Sequence, residues 1–309
     1  MRPFVSTVVV LIAAATSTHA QAITSEFAWN RDYTFERLEA TREVRDSADN
    51  GTVRLSVYVW KPIKNDRHEV VLYSHGSTGG LGVGPREPGN SETPPRLLLQ
   101  YFVERGYTVV AAARRGRGTS TGTYVEECSV YSGQCTVAQQ LAMTDGAIAE
   151  ALRDEDAVID QLILGRMVPR GSQILLVGHS RGGFLSLLLA ARRPGLAKGI
   201  VNFAGGWNAV TDRLSASDFQ ERVNDHATRL VAAAKKVPVP TIWIYAARDP
   251  FYNDAGRDVM VRAWRDAGGK AEYVFIAEHT LPNPHVVHGS PALWTAQMEA
   301  YLRGLTAAK

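Results

Sequence analysis

Ten residues, Ile174-Leu175-Leu176-Val177-Gly178-His179-Ser180-Arg181-Gly182-Gly183, constrain the fold more than any other stretch of this chain. The apolar run before Gly178 reads as a buried strand, and Phe184 to Ala190 as the buried helix that follows. Between them lies Gly178-x-Ser180-x-Gly182, the spacing of a nucleophile elbow. A serine on so tight a strand-to-helix turn takes a strained backbone conformation, so the residues two before and two after must lack side chains. That geometry lifts the hydroxyl clear of the sheet. It also puts the Arg181 amide at a helix N-terminus, where it can stabilise an oxyanion. The five-residue pattern alone recurs by chance; here the strand, the helix and Gly183 all stand where the motif requires them.

Around this turn the chain alternates strands and helices. Val53–Val59, Val70–Tyr73, Tyr107–Ala113, Gly199–Ala204, Thr241–Ala246 and Glu272–Ile276 read as strands. Phe27 to Arg45 reads as further strand, and Asp49-Asn50-Gly51 as a turn. Arg96–Arg105, Ala138–Leu164, Asp254–Ala267 and Pro291–Leu302 read as helices. In the longest of these, Leu141, Ile148, Leu152, Ile159 and Leu162 form one buried stripe, so Asp145, Asp154 and Asp156 are expected to be solvated or structural. The alternation predicts an α/β fold: a mostly parallel sheet with helices on both faces. Trp207 to Lys236 breaks the rhythm and is a candidate lid (207–236), and the Gly- and Pro-rich stretch Leu81 to Pro95 reads as a long surface loop.

The N-terminus reads as a signal peptide over 1–22, leaving one domain over 23–309. A positive start at Met1-Arg2 precedes an apolar core, Val8 to Ala15, too short to span a bilayer; cleavage fits after Ala20 or Ala22. The expectation is an exported protein, periplasmic or extracellular, with no stable membrane anchor. In an oxidising compartment Cys128 and Cys135, six residues of polar turn apart, would close a disulfide loop. They lack the companions of a zinc site, so no metal is expected. A net charge of +3 with no dense basic face argues against nucleic acid. The one basic cluster, Arg114-Arg115-Gly116-Arg117, reads either as a patch for an anionic substrate or, preferably, as a turn ordered by Arg115 through carbonyls or a carboxylate. With Trp207 and Phe251, it points to a partly apolar pocket that accepts an anion at one corner.

A nucleophilic serine needs a base, and the base an orienting carboxylate. In a parallel α/β sheet these stand beyond the carboxyl ends of later strands. Asp249 follows the strand ending at Ala246 and is preferred to Asp254, whose place at a helix start suits an N-cap. Three histidines follow the last strand; His288, just before the final helix, ranks first as base, ahead of His285 and His279. The turn His75-Gly76-Ser77-Thr78-Gly79-Gly80 after an early strand offers a second oxyanion amide, that of Ser77 with Thr78 as runner-up, while His75 is expected to hold the turn.

With these residues in place, nearly all of the mature chain resembles the α/β-hydrolase superfamily. Leu72-Tyr73-Ser74-His75-Gly76-Ser77 is similar to its oxyanion strand and turn, Arg115-Gly116-Arg117-Gly118-Thr119-Ser120-Thr121-Gly122 to its R-G-x-G-x-S-x-G turn, and Gly178 to Gly183 to its elbow. Within it the dienelactone-hydrolase-like and prolyl-oligopeptidase-like branches are most similar, although the former carry a cysteine nucleophile and the latter a propeller for which this chain has no room. The resemblance implies a cofactor-free serine hydrolase with Ser180, Asp249 and His288 as its triad and a small-molecule ester as substrate. A peptidase or amidase on the same triad, and a non-catalytic binding protein on the same fold, are the alternatives.

Overall fold

The computed structural model describes residues 32–77, 92–128 and 135–307. The expected signal peptide, the runner-up Thr78 and most of the stretch from Leu81 to Pro95 lie outside the described residues. Eight strands form one sheet: β1 (Tyr33–Arg45), β2 (Asn50–Pro62), β3 (Glu69–Ser74), β4 (Tyr107–Ala112), β5 (Ile174–His179), β6 (Ala197–Phe203), β7 (Thr241–Ala246) and β8 (Ala271–Ile276). They lie in the order β1-β2-β4-β3-β5-β6-β7-β8. The first two pairings, β1 on β2 and β2 on β4, are antiparallel; every other neighbour is parallel. The turn joining β1 to β2 sits earlier than Asp49-Asn50-Gly51: the Asp46 carboxylate accepts from the amides of Ala48 and Asp49, and Asn50 already pairs with Arg45.

Among the described residues six helices cover the sheet: α1 (Arg96–Glu104), α2 (Val137–Leu164), α3 (Arg181–Arg192), α4 (Ala216–Ala234), α5 (Asp254–Asp266) and α6 (Thr295–Ala307). Alternate residues of each central strand serve opposite faces, as the period of two requires. Leu72, Val110, Leu176, Ile200 and Trp243 join one buried cluster with residues of α2, α3, α4 and α5. Val71, Val109, Leu175, Val201 and Ile242 join the other with residues of α1 and α6. Burial on both sides is why these strands read as continuous apolar runs rather than alternating ones.

Local chemistry sets the helix starts. Thr136 caps α2 in a reciprocal box with Gln139, and Asn253, not Asp254, caps α5 by accepting from the Gly256 amide. Asp254 stands in the first turn instead, paired with Arg257. The carboxylates of α2 are structural as expected: Asp154 is buried, accepting from Arg42 Nε (2.6 Å) and the Arg115 amide (2.7 Å), while Asp145 and Asp156 pair with Arg229 and Arg192. The parallel strands end along one edge, where Ser74, His179 and Ala246 lead into the loops of the site.

Candidate active site

Ser180 sits between β5 and α3 with φ 56° and ψ −124°, a left-handed conformation that a side chain with a Cβ rarely adopts. Its neighbours explain how the turn is held. A Cβ on Gly178 would run into the Gly182 carbonyl, and one on Gly182 into the Ser74 carbonyl of β3. Glycine at both positions is therefore what lets strand, turn and helix close together. The Ser180 amide donates to the Phe203 carbonyl of β6 (2.9 Å), while its side chain makes no cap bond to α3.

The turn after β3 approaches the same point. A Cβ on Gly76 would stand 3.0 Å from the Ser180 Cβ. His75 is fully buried and holds this turn: its Nε2 accepts from the Arg114 amide (3.1 Å), which leaves Nδ1 to donate to the Gly76 carbonyl (2.7 Å). Burial and the adjacent Arg114 guanidinium push its pKa down to about 3, so it stays neutral. Ser77 lies on the cavity wall with its hydroxyl on the Glu127 carboxylate, and Arg181 is the first residue of α3, where main-chain amides have no partner within the helix.

Asp249 stands in the loop after β7 with its side chain fully buried. One carboxylate oxygen accepts from the amides of Phe251 (2.8 Å) and Tyr252 (3.2 Å), which fixes its orientation. The other meets His285 Nδ1 at 3.0 Å. The imidazole beside the acid is thus that of His285 and not His288. After β8 the chain enters a 3₁₀ turn, Pro284–Gly289, started by the Asn283 side chain, which accepts from the His285 amide. The turn is kinked at Val286, between the two histidines, and both line the same cavity. His285 reaches Asp249, while the His288 ring stacks on His179 (centroids 3.7 Å apart, planes at 14°). No carboxylate pairs with His288 among the described residues, and its buried Nδ1 has no hydrogen-bond partner. Burial, with some repulsion from His285, pushes its pKa down to about 3. His279 is spent on the Ala247 carbonyl (2.9 Å).

Ser180, His285, His288, Ser77 and Arg181 all line one cavity of about 630 Å³. Trp207 and Phe251 line it too, as do Asn208, Ala209 and Arg222 from the 207–236 segment. The basic cluster does not. Arg114 is buried behind the wall, bonded to Glu126 through Nε (2.5 Å) and Nη2 (3.0 Å), and Arg117 lies buried over the Tyr124 ring. Burial alone would raise the Glu126 carboxyl, but Arg114 outweighs it and holds the pKa down at about 2. Arg115 orders its turn through Asp46 (2.7 Å), as expected. Cys128, on the cavity wall, is joined to Cys135 by a disulfide.

Three neighbours of the site carried no motif in the sequence. His179 meets the His285 carbonyl through Nε2 (2.9 Å), tying the elbow to the turn that bears His285. The Tyr252 hydroxyl interacts with the Ser180 side chain. The Arg181 side chain folds back onto the Trp207 carbonyl (3.0 Å) and Glu127 (3.0 Å). Only its adjacency to Ser180 could have flagged His179. Tyr252 had the weaker cue of lying three residues past Asp249.

A mostly parallel, eight-stranded sheet with a strained serine elbow at one strand end and an acid–imidazole pair beyond later strands defines a class of hydrolytic scaffold. The family model described as "Alpha/beta hydrolase family" matches residues 71–307, and the chain belongs to that family. Solved structures share the fold. An esterase from Pyrococcus furiosus superposes with a TM-score of 0.57 at 16% identity, over 88% of this chain and 90% of that one. An acylaminoacyl peptidase from Pyrococcus horikoshii gives 0.57 at 14%, over 89% of this chain and 42% of the longer one. A putative dipeptidyl aminopeptidase IV from Bacteroides ovatus gives 0.56 at 15%, over 86% and 36%. No curated protein matches the sequence. Family membership supports an enzyme.

Proposed function

We propose that the protein is a serine hydrolase that cleaves a carboxylic ester through an acyl-enzyme on Ser180. The observation that carries the reading is the Asp249–His285 bond at the cavity that Ser180 lines. With Nδ1 turned to Asp249, His285 has Nε2 left to take the Ser180 proton as Oγ attacks the acyl carbon. Asp249 holds the ring and stabilises its charged form. The amides of Arg181 and Ser77 receive the oxyanion, each donor worth about 3–4 kcal/mol. His285 then passes its proton to the leaving alcohol; water enters, gives a proton to the same nitrogen and its oxygen to the acyl group, and His285 returns that proton to Ser180 Oγ as the acid leaves. The Cys128–Cys135 disulfide supports the reading of an exported enzyme.

The test is turnover of 4-nitrophenyl esters and peptide 4-nitroanilides by wild type and Ser180→Ala. Ester turnover that disappears in the variant is the expected result. Anilide turnover without ester turnover would move the reading to a peptidase. No turnover of either would favour a binding protein on the hydrolase fold.

A further inference from the structure

Among the described residues, the ionised groups on the cavity walls cancel in pairs, with one exception. Glu126 is matched by Arg114 and Glu127 by Arg181 at 3.0 Å. Arg222, on α4, has no carboxylate within 4 Å among the described residues, although only 7% of its surface is exposed. A buried cation without a counter-ion is costly, because neither water nor an opposite charge offsets its desolvation. Accordingly burial depresses its pKa, against weaker support from Tyr252 and Asp218.

Its contacts hold the group in place without neutralising it. One Nη donates to the Ala209 carbonyl and the other to Gln140 Oε1 (2.6 Å), both neutral acceptors. Nε is buried with no partner. A guanidinium has five N–H donors in a planar fork suited to a carboxylate, so most of this fork remains unspent. Arg222, Gln140 and Ala209 all line the cavity that holds Ser180. Tyr252, which interacts with the Ser180 hydroxyl, lines that cavity as well.

We infer that Arg222 is a specificity-determining residue that binds a carboxylate carried by the substrate, so that the ester cleaved is that of an acid or alcohol bearing a second, free carboxylate. The proposal rests on the serine-hydrolase reading and deepens it. The unpaired charge that binds the substrate's anion comes from α4 and not from Arg114, whose charge Glu126 offsets, nor from Arg117, which does not line the cavity.

Two matched ester pairs test it on the full chain and separate the two sides of the bond. Mono-(4-nitrophenyl) glutarate against 4-nitrophenyl pentanoate places the carboxylate on the acyl side. 4-Acetoxybenzoate against 4-acetoxybenzamide places it on the alcohol side. Wild type is expected to favour the charged member of one pair by about ten-fold or more in kcat/KM. Arg222→Gln should collapse that ratio toward one, and Arg222→Lys should keep part of it. As a check needing no variant, glutarate should compete with the neutral ester at concentrations where glutaramide does not. Neutral-ester turnover in wild type with no preference in either pair, or a preference unchanged in Arg222→Gln, overturns the assignment while leaving the hydrolase intact. Loss of all ester turnover from wild type would instead count against the hydrolase reading itself.

Discussion

At the residue scale the site depends on which side chains keep a free valence and which have spent theirs. Asp249 gives one oxygen to two main-chain amides and the other to His285, so replacing it removes orientation as well as charge. Asp249→Asn is expected to lower kcat for a good ester by about 10³–10⁴-fold, by favouring the wrong imidazole tautomer. Steady-state kinetics on a 4-nitrophenyl ester check this, and a loss below ten-fold would contradict it. A second residue-scale prediction concerns Glu155, fully buried on α2 and accepting from Ser74 Oγ (2.7 Å). Burial raises its carboxyl pKa to about 7 against the pull of Arg114, with Asp154 and Glu126 adding to the rise. The folded protein thus keeps this proton to about pH 7, whereas the unfolded chain releases it near 4.5. Between those values Glu155 costs stability as pH rises. Glu155→Gln keeps an acceptor for Ser74 and should be more stable than wild type at pH 8 by a few kcal/mol, the advantage vanishing near pH 5. An advantage independent of pH in urea titrations would sink the account.

At the element scale, the junctions between strand, turn and helix hold the residues of the site. The elbow was legible because its requirements are covalent and local: two positions that can bear no Cβ, an apolar strand before and an apolar helix after. Gly182→Ala would drive a methyl into the Ser74 carbonyl, which belongs to β3 and cannot swing aside. It is expected to destabilise the fold by about 2 kcal/mol or more and to depress activity further than that loss explains. Thermal unfolding alongside kinetics would decide, and a stable, active variant would contradict the reading of the turn. The base was not legible in the same way. His285 and His288 lie three residues apart in one kinked turn and both line the cavity, so only the path of the chain after β8 decides which reaches Asp249. Proximity to the final helix favoured His288 in the sequence, but at that position the ring packs on His179. Asp254 shows the same limit, since Asn253 and Asp254 are both good caps and the helix begins one residue earlier than its carboxylate suggests. Arg222 was invisible for a different reason: nothing along the chain reports that a cation lacks a partner in space.

At the scale of the whole molecule, one sheet with a buried cluster on each face positions every loop of the site. Strand and helix order was readable because two-sided burial leaves long apolar runs, while the antiparallel β1–β2 edge, half exposed, left a weaker trace. The same burial sets the response to acid. His75, His179, His226 and His288 are all held below the usual histidine range, chiefly by desolvation. Each takes a proton less readily in the fold than in the unfolded chain, where it does so near pH 6.5, so the stability it contributes is present above that pH and lost as the pH falls below it. Glu126, depressed to about 2, adds a loss below about pH 4.5. Glu155 and Asp154, both carboxyls raised by burial, oppose them. Urea midpoints are therefore expected to fall from pH 7.5 to pH 5, with a net loss of several kcal/mol; a flat or rising profile would mean that these imidazoles are protonated in the fold.

The central claim is that Ser180 is activated by the imidazole bonded to Asp249. It is tested most directly by labelling with a fluorophosphonate, with the adduct located by mass spectrometry, in wild type, Ser180→Ala, His285→Ala and His288→Ala. The account predicts one adduct on Ser180 in wild type, none in Ser180→Ala, labelling slowed by orders of magnitude in His285→Ala, and labelling retained in His288→Ala. Brisk labelling of His285→Ala together with its loss in His288→Ala would contradict the account.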